Sequence, residues 1–150
     1  MDYQQEAEKL LHVIKQAMKS PEINRINGFA RGDMPVLGYL KKHEDKPTSP
    51  SEIGDYCNVS TARVATILGN LENKGFIRRE IDRKDRRKII VSLTAEGDQV
   101  FCQLKNKMIL SLATRLEIMG EKDSQDLIRT FQKFIDTLEK EDVRAARSEA

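Results

Sequence analysis

The sequence predicts a mainly α protein that carries one small β-hairpin. Three observations predict it. Apolar residues recur at three- and four-residue spacing along most of the 150-residue chain, as on the buried stripe of amphipathic helices. The period falls to 2 only between Phe76 and Leu93, where two β-branched runs flank a charged loop. That change follows two short helical segments separated by a tight break, the layout of a helix-turn-helix.

The elements follow in order. Ala7, Leu10, Leu11, Ile14, Ala17 and Met18 lie on one helical face, which Ser20-Pro21 ends. Residues 21–32, holding Gly28 and Gly32, read as irregular. Asp33 is the expected N-cap of a helix with Pro35 in its first turn and Met34, Val36, Leu37 and Leu40 inside, running to about His43. A polar loop with Pro47 leads to a short helix from Ser51 to Cys57, stopped at Asn58. Ser60 caps the next helix, whose Val64, Ile67, Leu68 and Leu71 face inward, and Gly75 is its left-handed stop. The strands Phe76–Ile81 and Ile89–Leu93 enclose the charged loop Asp82–Lys88. A helix-turn-helix followed by such a hairpin is a winged helix. Thr94 then caps a helix of roughly seven turns, carrying Val100, Phe101, Leu104, Met108, Leu112, Leu116 and Met119. Gly120 breaks it, and a last helix presents Leu127, Ile128, Phe131, Phe134, Ile135 and Leu138 on one face. The tail from Glu139 is expected to fray. The domain plan is thus 1–32 for an N-terminal dimerisation helix and loop, 33–97 for the winged helix-turn-helix, and 98–150 for C-terminal dimerisation helices.

Charge separates the parts further. The whole chain has 26 basic and 24 acidic residues, a net of +2. Residues 1–59 carry a net of −1, residues 60–93 a net of +5, and residues 94–150 a net of −2. Arg78 to Lys88 alone holds seven basic and three acidic side chains. By itself such a run reads as a solvated charged loop; on a wing it marks a polyanion-binding surface. No run of about 18 apolar residues is present, so no membrane helix is expected. The polar, acidic start from Met1 to Glu6 does not read as a signal peptide, and two cysteines make no disulfide framework, so a cytoplasmic protein is expected.

From Pro50 to Gly97 the chain resembles the MarR family, the multiple-antibiotic-resistance regulators of bacteria. The resemblance is carried by Pro50-Ser51-Glu52-Ile53, by Leu71-Glu72-Asn73-Lys74-Gly75-Phe76-Ile77-Arg78-Arg79, by the D-x-x-D-x-R wing Asp82-Arg83-Lys84-Asp85-Arg86-Arg87, and by Val91-Ser92-Leu93-Thr94-Ala95-Glu96-Gly97. It implies a homodimer of winged helices that binds double-stranded DNA at a palindromic operator. It also implies transcriptional repression, relieved by a small lipophilic or phenolic effector. A protein–protein winged-helix module and a cysteine-based redox regulator are the alternatives.

Within that frame Ser60, Thr61, Ala62, Arg63, Thr66 and Asn70 form the outward face of the recognition helix. Arg63 is suited to guanine, because a guanidinium can bond O6 and N7 together. Thr66 and Asn70 stand where many family members have a basic residue, and Arg63 replaces a common Thr, so base preference does not transfer. By the resemblance Arg87 enters the minor groove with Asp85 holding its guanidinium, while Arg83, Lys84, Arg86 and Lys88 meet phosphates or line the groove. Thr48 and Ser51 are candidate phosphate hydroxyls, or N-caps. Ile14, Met18, Phe29, Leu37 and Met108 are candidate effector-pocket residues, and equally ordinary core. The apolar stripes of the first helix and the last two exceed what a winged helix needs, which predicts a two-fold dimer; an intramolecular bundle is the other solution.

No phosphate-binding glycine motif is present, and His12 and His43 are isolated from any metal-ligand cluster. Neither sits in a nucleophile motif. No enzyme, cofactor or metal is expected. Cys57 and Cys102 are expected to be buried and inert.

Overall fold

The computed structural model describes the backbone of residues 1–148 and the side chains of residues 1–138. Its order is α1 (Tyr3–Met18), α2 (Pro21–Phe29), α3 (Asp33–Lys42), α4 (Pro50–Cys57), α5 (Thr61–Asn73), β1 (Ile77–Ile81), β2 (Ile89–Leu93), α6 (Ala95–Met119) and α7 (Glu121–Ser148). The chain divides into two compact units, one ending at Lys105 and one beginning at Asn106.

Most boundaries follow from local chemistry. Asp2 caps α1 by accepting the Gln4 N–H at 2.9 Å. Ser60 caps α5 by accepting from Arg63 N. Gly75, at φ +74°, lets the chain leave α5 while its N–H returns to Glu72 O and that of Phe76 to Leu71 O, both at 2.9 Å. Asn58 holds the left-handed turn between α4 and α5 at φ 50°, a conformation asparagine tolerates better than most residues.

Four boundaries correct the expectations. Residues 21–29 are helical rather than irregular, because Ser20 caps the Glu22 N–H and Pro21 occupies the first turn, where its missing N–H costs nothing. Asp33 is the first residue of α3 and not its cap; Gly32 takes the cap position at φ 70° and makes no side-chain bond. The Asp33 carboxylate pairs instead with Lys74 at 2.8 Å. Neither Thr48 nor Ser51 caps α4. Ser49 does, in a reciprocal box with Glu52. Finally, the backbone of α7 is helical through Ser148, past the expected fraying point at Glu139.

The first unit has one core. Val36, Leu37 and Leu40 of α3 pack with Ile53 of α4, with Val64, Ile67, Leu68 and Leu71 of α5, and with Ile77 and Val91 of the hairpin. β1 and β2 are antiparallel, Ile77 opposite Leu93 and Ile81 opposite Ile89. Val91 also donates to Thr48 O at 2.8 Å, so the segment before α4 runs along the free side of β2. The start of α6 is fixed tightly against this lobe. Thr94 donates its hydroxyl to Gly75 O at 2.6 Å and accepts Gly97 N at 3.0 Å, which makes it the expected cap. Phe101 lies 3.2 Å from where a side chain on Gly38 would begin, and Lys41 of α3 reaches Asp98 at 3.0 Å. In the second unit Gly120, at φ +84°, separates α6 from α7, and the Ser124 hydroxyl donates to Leu116 O and Gly120 O.

A methyl group at Gly97 would sit 2.0 Å from the Phe76 carbonyl oxygen, whereas one at Gly69 in α5 meets nothing within 4 Å. Gly97→Ala is therefore expected to destabilise the fold by about 1–3 kcal/mol. Gly69→Ala should stabilise it by roughly 0.5–1 kcal/mol through helix propensity. Urea midpoints at one protein concentration check both signs.

Candidate nucleic-acid interface

An interface that reads a groove needs a rigid helix with one buried face and one exposed face. In α5 the buried face is Val64, Ile67, Leu68 and Leu71, each no more than 4% exposed. Ser60, Thr61, Ala62, Arg63, Thr66 and Asn70 are all exposed, as the pattern predicts. The Thr66 hydroxyl is turned back onto Ala62 O at 3.1 Å. Arg63 makes no ion pair among the described residues.

The hairpin tip is organised by its two aspartates. Asp82 accepts the Lys84 N–H at 2.8 Å, and Asp85 accepts the Arg87 N–H at 3.1 Å. The chain then closes through Asp82 N to Lys88 O and Lys88 N to Asp85 O, both 2.9 Å. Asp85 also touches the Arg87 guanidinium at 3.3 Å while the Arg87 side chain stays 91% exposed. The aspartates thus shape the loop and orient one arginine without burying it.

Ion pairing divides the nine basic residues of the segment 60–93 into two groups. Lys74 pairs with Asp33, Arg78 with Glu80, Arg79 with Glu72 and Arg87 with Asp85. Arg63, Arg83, Lys84, Arg86 and Lys88 have no such partner among the described residues. The unpaired charge therefore sits on the helix face and at the wing tip. A cleft of about 910 Å³ lies between α4, α5 and the hairpin, lined by Pro50 and Ser51 of α4, by Thr61 and Ala65 of α5, and by Arg79, Arg87, Lys88 and Ile89 of the hairpin.

Other expected positions fall differently. Ser51 is exposed at the start of α4, but Thr48 is only 1% exposed and its hydroxyl has no hydrogen-bond partner among the described residues. Its backbone role beside Val91 draws the side chain inside, so it cannot offer a hydroxyl to a phosphate. Leu37 is core at 1% exposure and Phe29 packs on that core; Ile14 and Met18 are 42% and 62% exposed on α1. Met108 lies in the second unit, half-buried. None of the five lines the cleft. Cys57 is half-buried, and burial pushes its thiol pKa up. Cys102 is exposed, not buried as expected. Lost hydration and the Asp98 carboxylate, 3.5 Å away, push its thiol up as well, so neither cysteine has the lowered pKa of a reactive thiolate. Among the described residues no metal-binding cluster is gathered, and no helix is long and apolar enough to cross a membrane.

Ser49 and Glu72 carry roles that sequence reasoning passed over. The signal for Ser49 was the S-x-x-E spacing to Glu52. For Glu72 it was a carboxylate in the last turn of a helix, where the helix dipole disfavours one.

A helix-turn-helix, a basic two-stranded wing behind it and a third helix beneath define a winged-helix protein. Residues 27–88, from the end of α2 to the last residue before β2, match the model of the MarR family. Over that segment the chain is similar to the MarR family. It is 30% identical over 92 residues to the uncharacterised HTH-type transcriptional regulator YfiV of Bacillus subtilis (strain 168), covering 61% of this chain and 56% of that protein. It is 33% identical over 96 residues to the HTH-type transcriptional repressor MdtR of the same strain, covering 64% and 61%. The chain thus spans somewhat over half the length of these curated relatives. The crystal structure of YusO from Bacillus subtilis superimposes with a TM-score of 0.70 at 25% identity, over 89% of this chain and 95% of that one.

The capping box gives a pH prediction. Donors from the Ser49 backbone and hydroxyl hold the Glu52 carboxyl below its ordinary value of 4.5. A lowered folded pKa means that this stabilisation is complete above the ordinary value and is lost as the pH falls through the folded one. Glu52→Gln keeps an acceptor for the Ser49 N–H but cannot titrate. Acidification from pH 7 to pH 3 should lower its urea midpoint less than that of the unmodified protein.

Proposed function

We propose that the chain is a dimeric transcriptional regulator, a repressor that binds double-stranded DNA at a palindromic operator. The observation that carries the reading is that the outward face of α5 and the tip of the wing hold five cations with no ion-pair partner among the described residues. In this reading α5 enters a major groove, with Arg63 as its base reader and Ser60, Thr61, Ala62, Thr66 and Asn70 beside it. The wing lies over the neighbouring minor groove. There Arg87, oriented by Asp85, enters a narrow groove, and Arg83, Lys84, Arg86 and Lys88 neutralise phosphates. Ser51 offers a hydroxyl to the backbone. The matched relative MdtR is named a repressor, which supports that sense of regulation. Release by a small lipophilic or phenolic effector is the mode of control that goes with it.

Two copies are needed to read a two-fold operator in successive major grooves about 34 Å apart. The apolar residues that a partner would cover are present. On α1, Leu10, Leu11, Ile14 and Met18 are 42–62% exposed, and on α7, Ile128 and Phe131 are 59% and 61% exposed. Stripes of this size left in water favour association.

Three measurements test the reading. Selection of duplexes from a random pool with purified protein should return a palindrome. Affinity for it should fall steeply with salt, with a log–log slope of about −0.9 per phosphate neutralised; no salt dependence removes the wing from the interface. Arg87→Ala should weaken binding about ten- to hundred-fold, and Arg63→Ala should in addition relax preference at one base position. Retained binding in both variants would favour docking of the wing on an acidic protein instead. In sedimentation velocity the protein should run as a dimer, and Ile128→Glu combined with Phe131→Glu should shift it toward monomer.

A further inference from the structure

Resting on the DNA-binding reading, we infer that Glu72 is a positioning residue that sets the angle between the recognition helix and the wing. Only Lys74, Gly75 and Phe76 separate α5 from β1, so whatever fixes that joint decides where the wing cations lie relative to Arg63. Beneath the joint both sides belong to the apolar core, with Leu71 at 0% and Ile77 at 2% exposure. Above it stands Glu72. Its Oε1 accepts the Arg79 backbone N–H at 3.3 Å, and its Oε2 accepts Nε of the Arg79 guanidinium at 2.9 Å and a second, shorter bond from the terminal nitrogen.

The backbone bond explains why a carboxylate is needed at this place. Arg79 pairs with Val91 across the hairpin, yet Val91 sends its N–H away to Thr48 O. The Arg79 N–H likewise points away from β2, to the open edge of β1, where Glu72 takes the part of a missing strand. One side chain therefore grips both the backbone and the head group of a wing residue from the last turn of the recognition helix. A fork of this kind fixes direction as well as distance.

Two features argue against ordinary surface charge. Glu72 lies at the negative end of the α5 dipole, which disfavours a carboxylate. It also sets a negative charge in the most basic part of the chain, which works against attraction to a polyanion. Both side chains are about one-third exposed, so the pair adds little to global stability. Its value lies in geometry.

The test compares affinities for the duplex that the unmodified protein selects and for an unrelated duplex of the same length. Glu72→Gln is expected to bind the selected duplex about ten-fold more weakly. It should hold the unrelated duplex as well as the parent or better, with its urea midpoint nearly unchanged. Arg79→Gln should lower the ratio of the two affinities by a similar factor, and the double variant by no more than either single one. An unchanged ratio in Glu72→Gln, an equal loss on both duplexes, or losses that add in the double variant would each overturn the inference. An unmodified protein that selects no duplex removes the DNA-binding reading itself, and this one with it. A selected duplex with an unchanged ratio removes this one alone.

Discussion

The winged lobe depends on one crossing, where the exit of α5 passes the entry of α6. Phe76 lends its carbonyl oxygen to Thr94 N at 3.1 Å, and Thr94 returns its hydroxyl to Gly75 O. The two segments come so close that the residue opposite Phe76 has room for no side chain at all, and Gly97 stands there. This contact closes the base of the hairpin, because Ile77 and Leu93, the pair nearest the base, lie directly beside it. It also fixes the start of α6, the helix that leads out of the lobe. α5, the hairpin and the start of α6 thus take their directions from a few backbone atoms, and the side chains that follow inherit them. Gly38 against Phe101 and Lys41 against Asp98 reinforce the same arrangement one turn further along.

The parts of this fold that were legible in the sequence are those set by local chemistry. Ser60, Gly75 and Thr94 act at the positions their residue types suggest, because a hydroxyl cap and a left-handed turn need only neighbouring backbone. The switch from helical to alternating period placed both strands within a residue. What was misread depended on choices between neighbours. Ser20-Pro21 ends one helix and starts the next with the same two residues, and the glycines that follow hid the second start. Asp33 has the right chemistry for a cap, but Lys74 offers it an ion pair from 41 residues away. Thr48 has an exposed-looking sequence context. Its burial follows from a bridge to Val91 that no local pattern records.

The exposed face of α5 was fully legible, since burial of Val64, Ile67, Leu68 and Leu71 leaves no choice for the residues between them. The wing was legible as charge but not as available charge. Counting gives nine basic residues in the segment, and four of them are already occupied by acids, one of which is Asp33 in a different helix. Pairing of that kind depends on how α3, α5 and β1 are brought together, so it is a property of the fold.

This distinction bears on how a nearly neutral chain can present a locally cationic surface. Coulomb attraction between exposed charges fades beyond about 8–10 Å at ordinary ionic strength, so a distant phosphate feels the nearest charges and not the chain total. The occupied cations, Lys74, Arg78 and Arg79, lie in the turn and first strand, where they set geometry. Those without an ion-pair partner among the described residues lie on the exposed face of α5 and at the wing tip. Arg87 stands between the two groups, held at one edge by Asp85 and otherwise open to solvent. Such a loose tether restricts the search of the side chain without neutralising it, so less rotamer entropy would be lost on binding an anion. An arginine buried in a tight pair would have to break that pair first. The aspartates that lower the net charge of the wing therefore leave its arginine oriented and open to solvent.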